Sequence, residues 1–534
     1  MCGIVLIRGP EARSELFQRM LDTIRTRGEV QETMSTETLL LGVQRLKIVD
    51  RDRAVQPWTS SDGRWALCYN GELYNLRELR SQLAALGHDF RSESDTEVVL
   101  ESFLEWGEGA VHRLRGEFAF AVTEVATGKV FLARDPVGVK PLYWSRCHGS
   151  LHVASEIKAL VPVTAPIFEV SPGYQGWALP GGPPQLSPYV DLLHIGDEDE
   201  PITDPEEASG LVRSALLDSI RCRLDTDLKV GVILSGGLDS TITLLQVAKL
   251  HPDCVAFTIG TKESEDVHYA RRLTQELGIE HHIIELRPDD ITSQDVREAI
   301  RVSELTEYGD IINAVVSNRL FRHVHECGVK VVLSGDGSDE LFGGYEIFTE
   351  IPEASRQRLF QHIVRALCHT ELQRVDRTSM GCGVEVRVPF LDLSVVRLAL
   401  RLPIDLKVRD HQEKWVLRHA FADLLPEYIR LRRKNPMSYS SGVHERIRLY
   451  RPLFARYYRA CGYELAGGVH RDFWYALERS GMDLERALAE DAAGLDHTPL
   501  EHARDLAGAL RWNLTAALHD IAGKVRGRDH QVPR

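Results

Sequence analysis

Residues 230–240 read VGVILSGGLDS, an apolar run that breaks at two glycines and resumes as the start of a helix. A buried strand that empties into a glycine turn and then a helix is the opening unit of a parallel α/β sheet. It excludes all-β and all-helical architectures for this part of the chain. The pattern repeats downstream. LKVGVILS precedes STITLLQVAKL, CVAFTIG precedes DVHYARRLTQELG, HHIIEL precedes further helical segments, and VKVVLSGDG ends in a second glycine-rich turn. Near-continuous apolar strands alternating with amphipathic helices predict a doubly wound parallel sheet from about residue 208. Beyond about 353 the pattern is helical, the domain is expected to run to 520, and the tail 521–534 is expected to be disordered.

The two glycine turns carry chemistry. Gly236 and Gly237 let the backbone aim amides at an anion, the following helix adds its N-terminal dipole, and Ser235 and Ser240 supply hydroxyls. Asp239 would repel a phosphate unless a cation stands between them, which implies Mg²⁺. The second turn, LSGDGSDELFGGY at 333–345, offers Asp339 as a second carboxylate; taken alone it reads equally as a helix cap. Turns at the carboxyl ends of parallel strands face one crevice, where open α/β sheets bind ligands.

The first 190 residues have a different rhythm. CGIVLI, LLLGVQRLKIV, WALCYNGELY, FAFAVTEVATGKVFLARD and LHVASE read as strands joined by turn residues. NLRELRSQLAALG and SDTEVVLESFLEWG read as helices closed by glycine. This half is predicted to be α+β, antiparallel sheets layered with helices. A Pro-, Gly- and acid-rich stretch follows, and 191–207 is expected to be a linker. Cys2 is the odd feature here, because removal of Met1 would leave a thiol beside a free α-amine.

With 534 residues the chain needs more than one core. Its net charge of -14 argues against general nucleic-acid binding. No apolar run approaches the length of a membrane helix, and no basic-then-apolar leader is seen. Nine cysteines without a CxxC pair suit free thiols in a reducing cytoplasm.

Taken in order, MCGI, QRLKIVD, YNGELYN, SDTEVVL, RGEFAFA, RDPVGVKPLYW, SEIKAL, VGVILSGGLDS, LSGDGSDELFGGY, GVEVRVPFLD and RKNPMSYSSGV resemble the glutamine-dependent asparagine synthetases of the bacterial type, over about residues 1–445. The resemblance implies an N-terminal-nucleophile glutaminase domain followed by a PP-loop ATP pyrophosphatase domain. It implies glutamine, ATP and a carboxylic acid such as aspartate as small-molecule substrates, with Mg²⁺. No nucleic acid or membrane is implied, and a homodimer is the assembly to test. Cys2 is then the nucleophile, with its own α-amine as base. Arg45, Leu46, Lys47, Ile48, Val49, Asn70, Gly71, Glu72 and Asp95 fall on glutamine-binding positions. Arg45 would fork onto the α-carboxylate, Asp95 or Glu72 would take the α-ammonium, and Asn70 and Gly71 would hold the oxyanion. Ile233, Ser235, Gly236, Gly237, Asp239, Ser240, Ile259, Ser334 and Gly335 fall on ATP-binding positions, and Asp239 and Asp339 on metal-binding ones. Lys434 would stabilise charge at the α-phosphate, Asp336 would handle a proton as ammonia attacks, and Asp266 lies near the pyrophosphate.

Three stretches depart from the family pattern. TRGEVQ places Glu29 where RGPD is usual. Asp336 replaces a glutamate, which displaces the carboxylate by roughly an ångström, enough to cost on the order of a hundredfold in rate for an unmoved acceptor. TEYGDIINAVVSNRL (306–320) lacks the usual proline-containing segment. These departures admit a carboxylic acid other than aspartate, or a glutamine analogue as donor. A non-catalytic glutamine and ATP sensor is disfavoured by Cys2, Asp239, Asp339 and Lys434 together. A sulfur transferase acting on tRNA is disfavoured by the missing cysteine pairs and the acidic charge. In HVHEC only His323 and Cys327 share a helix face, and two ligands do not make a zinc site. His281 and His282, like Cys382, read as packing, and FARYYRACGY as the buried face of a C-terminal helix.

Overall fold

The structure is a computed structural model describing residues 1–10, 12–195, 198–305, 307–435, 437–466, 473, 477 and 481–492; the tail expected at 521–534 lies outside them. Twelve strands build the first half: β1 (Cys2–Arg8), β2 (Val30–Ser35), β3 (Leu39–Arg45), β4 (Trp58–Thr59), β5 (Trp65–Leu73), β6 (Gly116–Glu124), β7 (Lys129–Arg134), β8 (Tyr143–Cys147), β9 (Ser150–Ala154), β10 (Ile167–Glu169), β11 (Tyr174–Ala178) and β12 (Pro184–Pro188). They pair into two six-stranded sheets, ordered β10-β8-β9-β1-β3-β2 and β12-β11-β7-β6-β5-β4.

Alternation explains how the sheets stack. Ile4, Leu6, Leu41 and Val43 of the first sheet meet Ala66, Cys68, Ala119, Ala121 and Leu132 of the second, a layer dominated on one side by small side chains. The outer face of the second sheet carries Tyr69, Phe118 and Phe120, which pack on Leu79, Leu83, Val98 and Phe103 of the helices Leu76–Ala85 and Asp95–Trp106. Val5 and Ile7, on the outer face of the first sheet, join an apolar cluster that continues through the whole second half. The two halves therefore share a core.

The second half holds the expected parallel sheet, with β13 (Val230–Ile233), β14 (Val255–Gly260), β15 (Glu280–Glu285), β16 (Val331–Leu333) and β17 (Glu385–Arg387) in the order β15-β14-β13-β16-β17. The order reverses at β13, so the turn after it opens into the crevice between diverging connections. Strand β17 was not anticipated. Only three residues long, it presents Glu385 and Arg387 on one face and buries Val386 on the other, and it is the edge laid against the first half. The segment expected as a linker at 191–207 is shorter than expected, because a helix starts at Pro205, capped by Asp204 accepting from the Glu207 amide at 2.8 Å. LKIV, read as the end of a strand, is loop beyond Arg45. FARYYRACGY forms only a seven-residue helix, Phe454–Ala460, with Phe454, Tyr458 and Tyr463 buried.

Charged side chains seam the halves together. Arg27, fully buried, donates to the Cys2 carbonyl at 2.9 Å, to Glu156 at 2.7 Å and to Asp376 at 2.8 Å. Arg377 reaches Glu304 at 3.1 Å, and Glu304 in turn accepts the Ile157 and Lys158 amides. Arg223 pairs with Asp392 at 2.9 Å and with Glu117, which also holds Lys140. Glu29, the first departure from the family pattern, pairs with Lys330 across the junction at 2.5 Å. Among the described residues no helix is long and apolar enough to cross a membrane, and all nine cysteines are free thiols.

Candidate active site

The first site lies where β1, β3 and β5 approach β17. Cys2 opens β1, opposite Arg45 in the β1–β3 register. Its backbone amide donates to Asn70 Oδ1 at 2.9 Å. Asn70 is fully buried, and its Nδ2 has no hydrogen-bond partner, so a donor stands ready beside the thiol. Asn70-Gly71 is not a hairpin turn: both lie mid-strand in β5, paired with Ala119 and Phe118. Gln56 was missed from the sequence. Its Nε2 points at Cys2 Sγ from 3.6 Å, while its Oε1 is fixed by the Tyr69 amide at 2.8 Å.

Around the thiol, burial is the dominant electrostatic fact. It pushes the Cys2 thiol up, against the pull of the neighbouring ammonium. It pushes Asp95 up to about 6 and Glu72 up to about 8, the latter opposed by Arg387 at 3.3 Å. Asp95 Oδ2 has no hydrogen-bond partner. The Met1 ammonium is held by Glu385 at 2.7 Å, and the Met1 side chain packs with Leu46, Ile48, Val331 and Met380. Leu46 and Ile48, with Val49 beside them, thus form an apolar plug at the junction, and Lys47 is half-buried. Arg45 forks onto Glu32 at 3.0 and 3.2 Å, so the guanidinium already holds a carboxylate in the geometry expected for a substrate's.

The second site sits at the carboxyl ends of β14, β13 and β16. Ile259, Ile233 and the pair Ser334-Gly335 stand at the ends of these three adjacent strands. Gly236 takes φ +64, and a side chain there would run into Tyr269 and Ala270. Ser235 and Ser240 hydroxyls lie 3.2 Å apart, and Ser235 Oγ also accepts from the Gly237 amide at 3.3 Å. Asp239 begins the helix Leu238–Leu250 and accepts from Ser338 Oγ at 2.7 Å.

Lys414 is the residue the sequence did not reveal. Its Nζ pairs with Asp239 and, at 2.6 Å, with Asp339. Asp339 also pairs with Lys434 at 2.5 Å. Burial would raise Asp339, but Lys414 and Lys434 together hold it well below the usual carboxylate range. A side chain at Gly344 would run into both Asp339 and Lys414, so the second turn needs glycine there to let the lysine in. The two aspartates converge on one cation position, and hard carboxylate oxygens suit Mg²⁺, so the donor set fits such an ion once the ammonium group moves toward phosphate.

A narrow cleft, partly open to solvent, adjoins these groups and is lined by Ser235, Asp239, Asp266, Lys414, Lys434 and Arg433, among others. Arg432 donates to the Ser235 carbonyl at 3.0 Å and pairs with Asp266 at 2.5 Å, so Asp266 orients a guanidinium at the loop. Asp336 is clasped by Arg374 at 2.8 Å, a guanidinium shared with Glu371 and Ser317. In the same turn burial, Glu371 and Asp339 push Glu340 up to about 8.

Two family models match: a glutamine amidotransferase domain over residues 1–173, and asparagine synthase over residues 211–364 and 351–498. Asparagine synthetase B [glutamine-hydrolyzing] of Escherichia coli is 33% identical over 435 residues, covering 77% of this chain and 76% of that protein. The chain belongs to the asparagine synthase family. Asparagine synthetase [glutamine-hydrolyzing] 3 of Arabidopsis thaliana is 33% identical over 481 residues, covering 83% of this chain and 79% of that one. A Bacillus subtilis relative, also named asparagine synthetase [glutamine-hydrolyzing] 3, is 29% identical, covering 84% and 90%.

Two outcomes follow from this geometry. Lys414→Ala should slow pyrophosphate release by on the order of a hundredfold while leaving glutamine hydrolysis intact; an unchanged rate would remove Lys414 from the site. Were Asp95 to take the glutamine α-ammonium, it would need its ionised form, and burial pushes its carboxyl up to about 6. The KM for glutamine should therefore rise about tenfold per pH unit as pH falls below that value, and Asp95→Asn should raise KM and flatten the profile. A flat wild-type profile between pH 5 and 7 would contradict it.

Proposed function

We propose that this asparagine synthetase-like, glutamine-hydrolysing amidotransferase converts a carboxylic acid, with aspartate the first candidate, into its amide. ATP is cleaved to AMP and pyrophosphate in the process. The observation that carries the reading is the chain Asp239–Lys414–Asp339–Lys434 at the mouth of the glycine turn. It alternates charges where a pyrophosphate leaving group and its counter-ion would lie.

In the first half, removal of Met1 would turn the Cys2 backbone nitrogen, which now donates to Asn70 Oδ1 at 2.9 Å, into a free amine. That amine takes the thiol proton, the sulfur attacks the glutamine amide carbon, and the oxyanion meets the free Asn70 Nδ2 and the Gly71 amide. Collapse to the thioester passes the proton to the departing nitrogen as ammonia, and water then releases glutamate. Arg45, turning from Glu32, takes the substrate carboxylate, and Asp95 its ammonium.

In the second half the acid's carboxylate attacks the α-phosphorus of ATP, the bond to the β-phosphate breaks, and an acyl-adenylate forms. Lys434 and Lys414 follow the charge that develops on the phosphate oxygens. Asp239 and Asp339 would hold Mg²⁺, which neutralises the departing pyrophosphate when bound. Ammonia then attacks the acyl carbon, AMP leaves, and the Asp336 carboxylate of the second turn takes the extra proton.

A pyrophosphate-release screen over aspartate and a panel of carboxylic acids, with glutamine present, decides the matter. Release of AMP and pyrophosphate with one acid is expected; ADP as product, or release independent of any acid, would overturn the assignment. Cys2→Ala should lose glutamine use yet retain synthesis from added ammonium, and loss of both would assign Cys2 a structural role.

A further inference from the structure

The sequence pairs His323 with Cys327 on one helix face and stops at two ligands. The fold supplies a third. Strand β15 runs at the edge of the parallel sheet, and alternate side chains leave it on opposite faces. His281 turns to one face, where it lies between Thr258 Oγ1 at 2.8 Å and Thr274 Oγ1 at 2.9 Å; burial lowers it to about 4, which leaves it neutral. His282 turns to the other face, stacks on Phe257 and meets the end of the helix Tyr308–Glu326. There His282 Nδ1 stands 3.7 Å and His323 Nε2 3.6 Å from Cys327 Sγ, and all three ligand atoms lie within 4.8 Å of one another.

We propose that His282, His323 and Cys327 form a zinc-binding site remote from both catalytic centres. With metal–sulfur and metal–nitrogen bonds of about 2.3 and 2.0 Å at a tetrahedral angle, nitrogen and sulfur sit about 3.5 Å apart. The spacings here, 3.7 and 3.6 Å, are close to that. The outer nitrogens are also arranged for ligation. His282 Nε2 faces Glu280 at 3.0 Å, and His323 Nδ1 faces Glu326 at 3.8 Å. A carboxylate on the far nitrogen fixes the tautomer and leaves the near nitrogen's lone pair aimed at the metal. Ligation through sulfur would release the Cys327 proton to solvent.

Place in the fold suggests what the metal does. The helix ends four residues before β16 begins, so the cluster lies toward the amino-terminal side of the sheet, away from the crevice. Bound there, zinc ties an edge strand to the helix that covers it. Three protein ligands leave a fourth position for water or an exogenous donor.

Titration of the purified full-length protein with Co²⁺ tests this. One equivalent should give a sulfur-to-cobalt charge-transfer band and the visible bands of a tetrahedral ion, displaced by Zn²⁺. Cys327→Ser should lose the charge-transfer band and keep glutamine-dependent amide synthesis. His323→Gln, which retains the thiol, should weaken Co²⁺ binding at least tenfold, and serves if the serine variant misfolds. A band of full strength in Cys327→Ser, undiminished affinity in His323→Gln, or no tetrahedral spectrum in the wild type would overturn the site.

Discussion

The guanidinium of Arg27 is the interaction on which the rest of this molecule depends. It has no access to water, and its partners come from three distant places: the Cys2 carbonyl, Glu156 and Asp376. Removing a charge from water costs several kcal/mol, regained only while every partner stays in place, and losing one partner of such a pair costs about 3–5 kcal/mol. The seam therefore disfavours intermediate positions of the two halves. Because Arg27 grips the carbonyl of Cys2 itself, the thiol is set relative to the second half as well as to its own sheet.

Strands β16 and β17 turn that fixed relation into proximity. Val331, at the start of β16, touches the apolar plug around Met1, whereas Ser334 and Gly335 just beyond its end face the nucleotide crevice. A strand advances about 3.3 Å per residue, so Val331 and Gly335 are about 13 Å apart along it. Beside it, Glu385 and Arg387 reach into the glutaminase half from alternate positions, one holding the terminal ammonium and the other Glu72. The nitrogen-releasing and nitrogen-fixing centres thus border the same few residues of sheet. Ammonia that crossed bulk water would be protonated and lose its nucleophilicity, which gives the short separation its chemical value.

How much of this was legible follows from the range of each interaction. The parallel sheet, the layered half before it and the glycine turn could be read because strands, helices and turns announce themselves over a few residues. Asn70-Gly71 shows the limit of local signals, since a pair that favours hairpin turns lies mid-strand where β6 pairs with it. Lys414 was invisible for another reason. It lies 175 positions from Asp239 in a stretch, HQEKWVLRH, with no local mark of function. Gln56 beside Cys2, the fork of Arg45 on Glu32, and His282 beside Cys327 likewise exist only once separate elements are packed together. The edge strand β17 was missed because its three residues, Glu385, Val386 and Arg387, make no apolar run, whereas the equally short β16 does.

The central claim is that the seam makes two reactions one, passing nitrogen from Cys2 to the acyl centre without release. Isotope competition measures this directly. With amide-¹⁵N glutamine, the accepted acid, ATP and unlabelled ammonium at a level too low to support synthesis by Cys2→Ala, the amide product should carry ¹⁵N in nearly every molecule. A product whose ¹⁵N content instead matches the diluted ammonium pool would mean that the nitrogen escapes to solvent, and the account of a coupled molecule would be wrong.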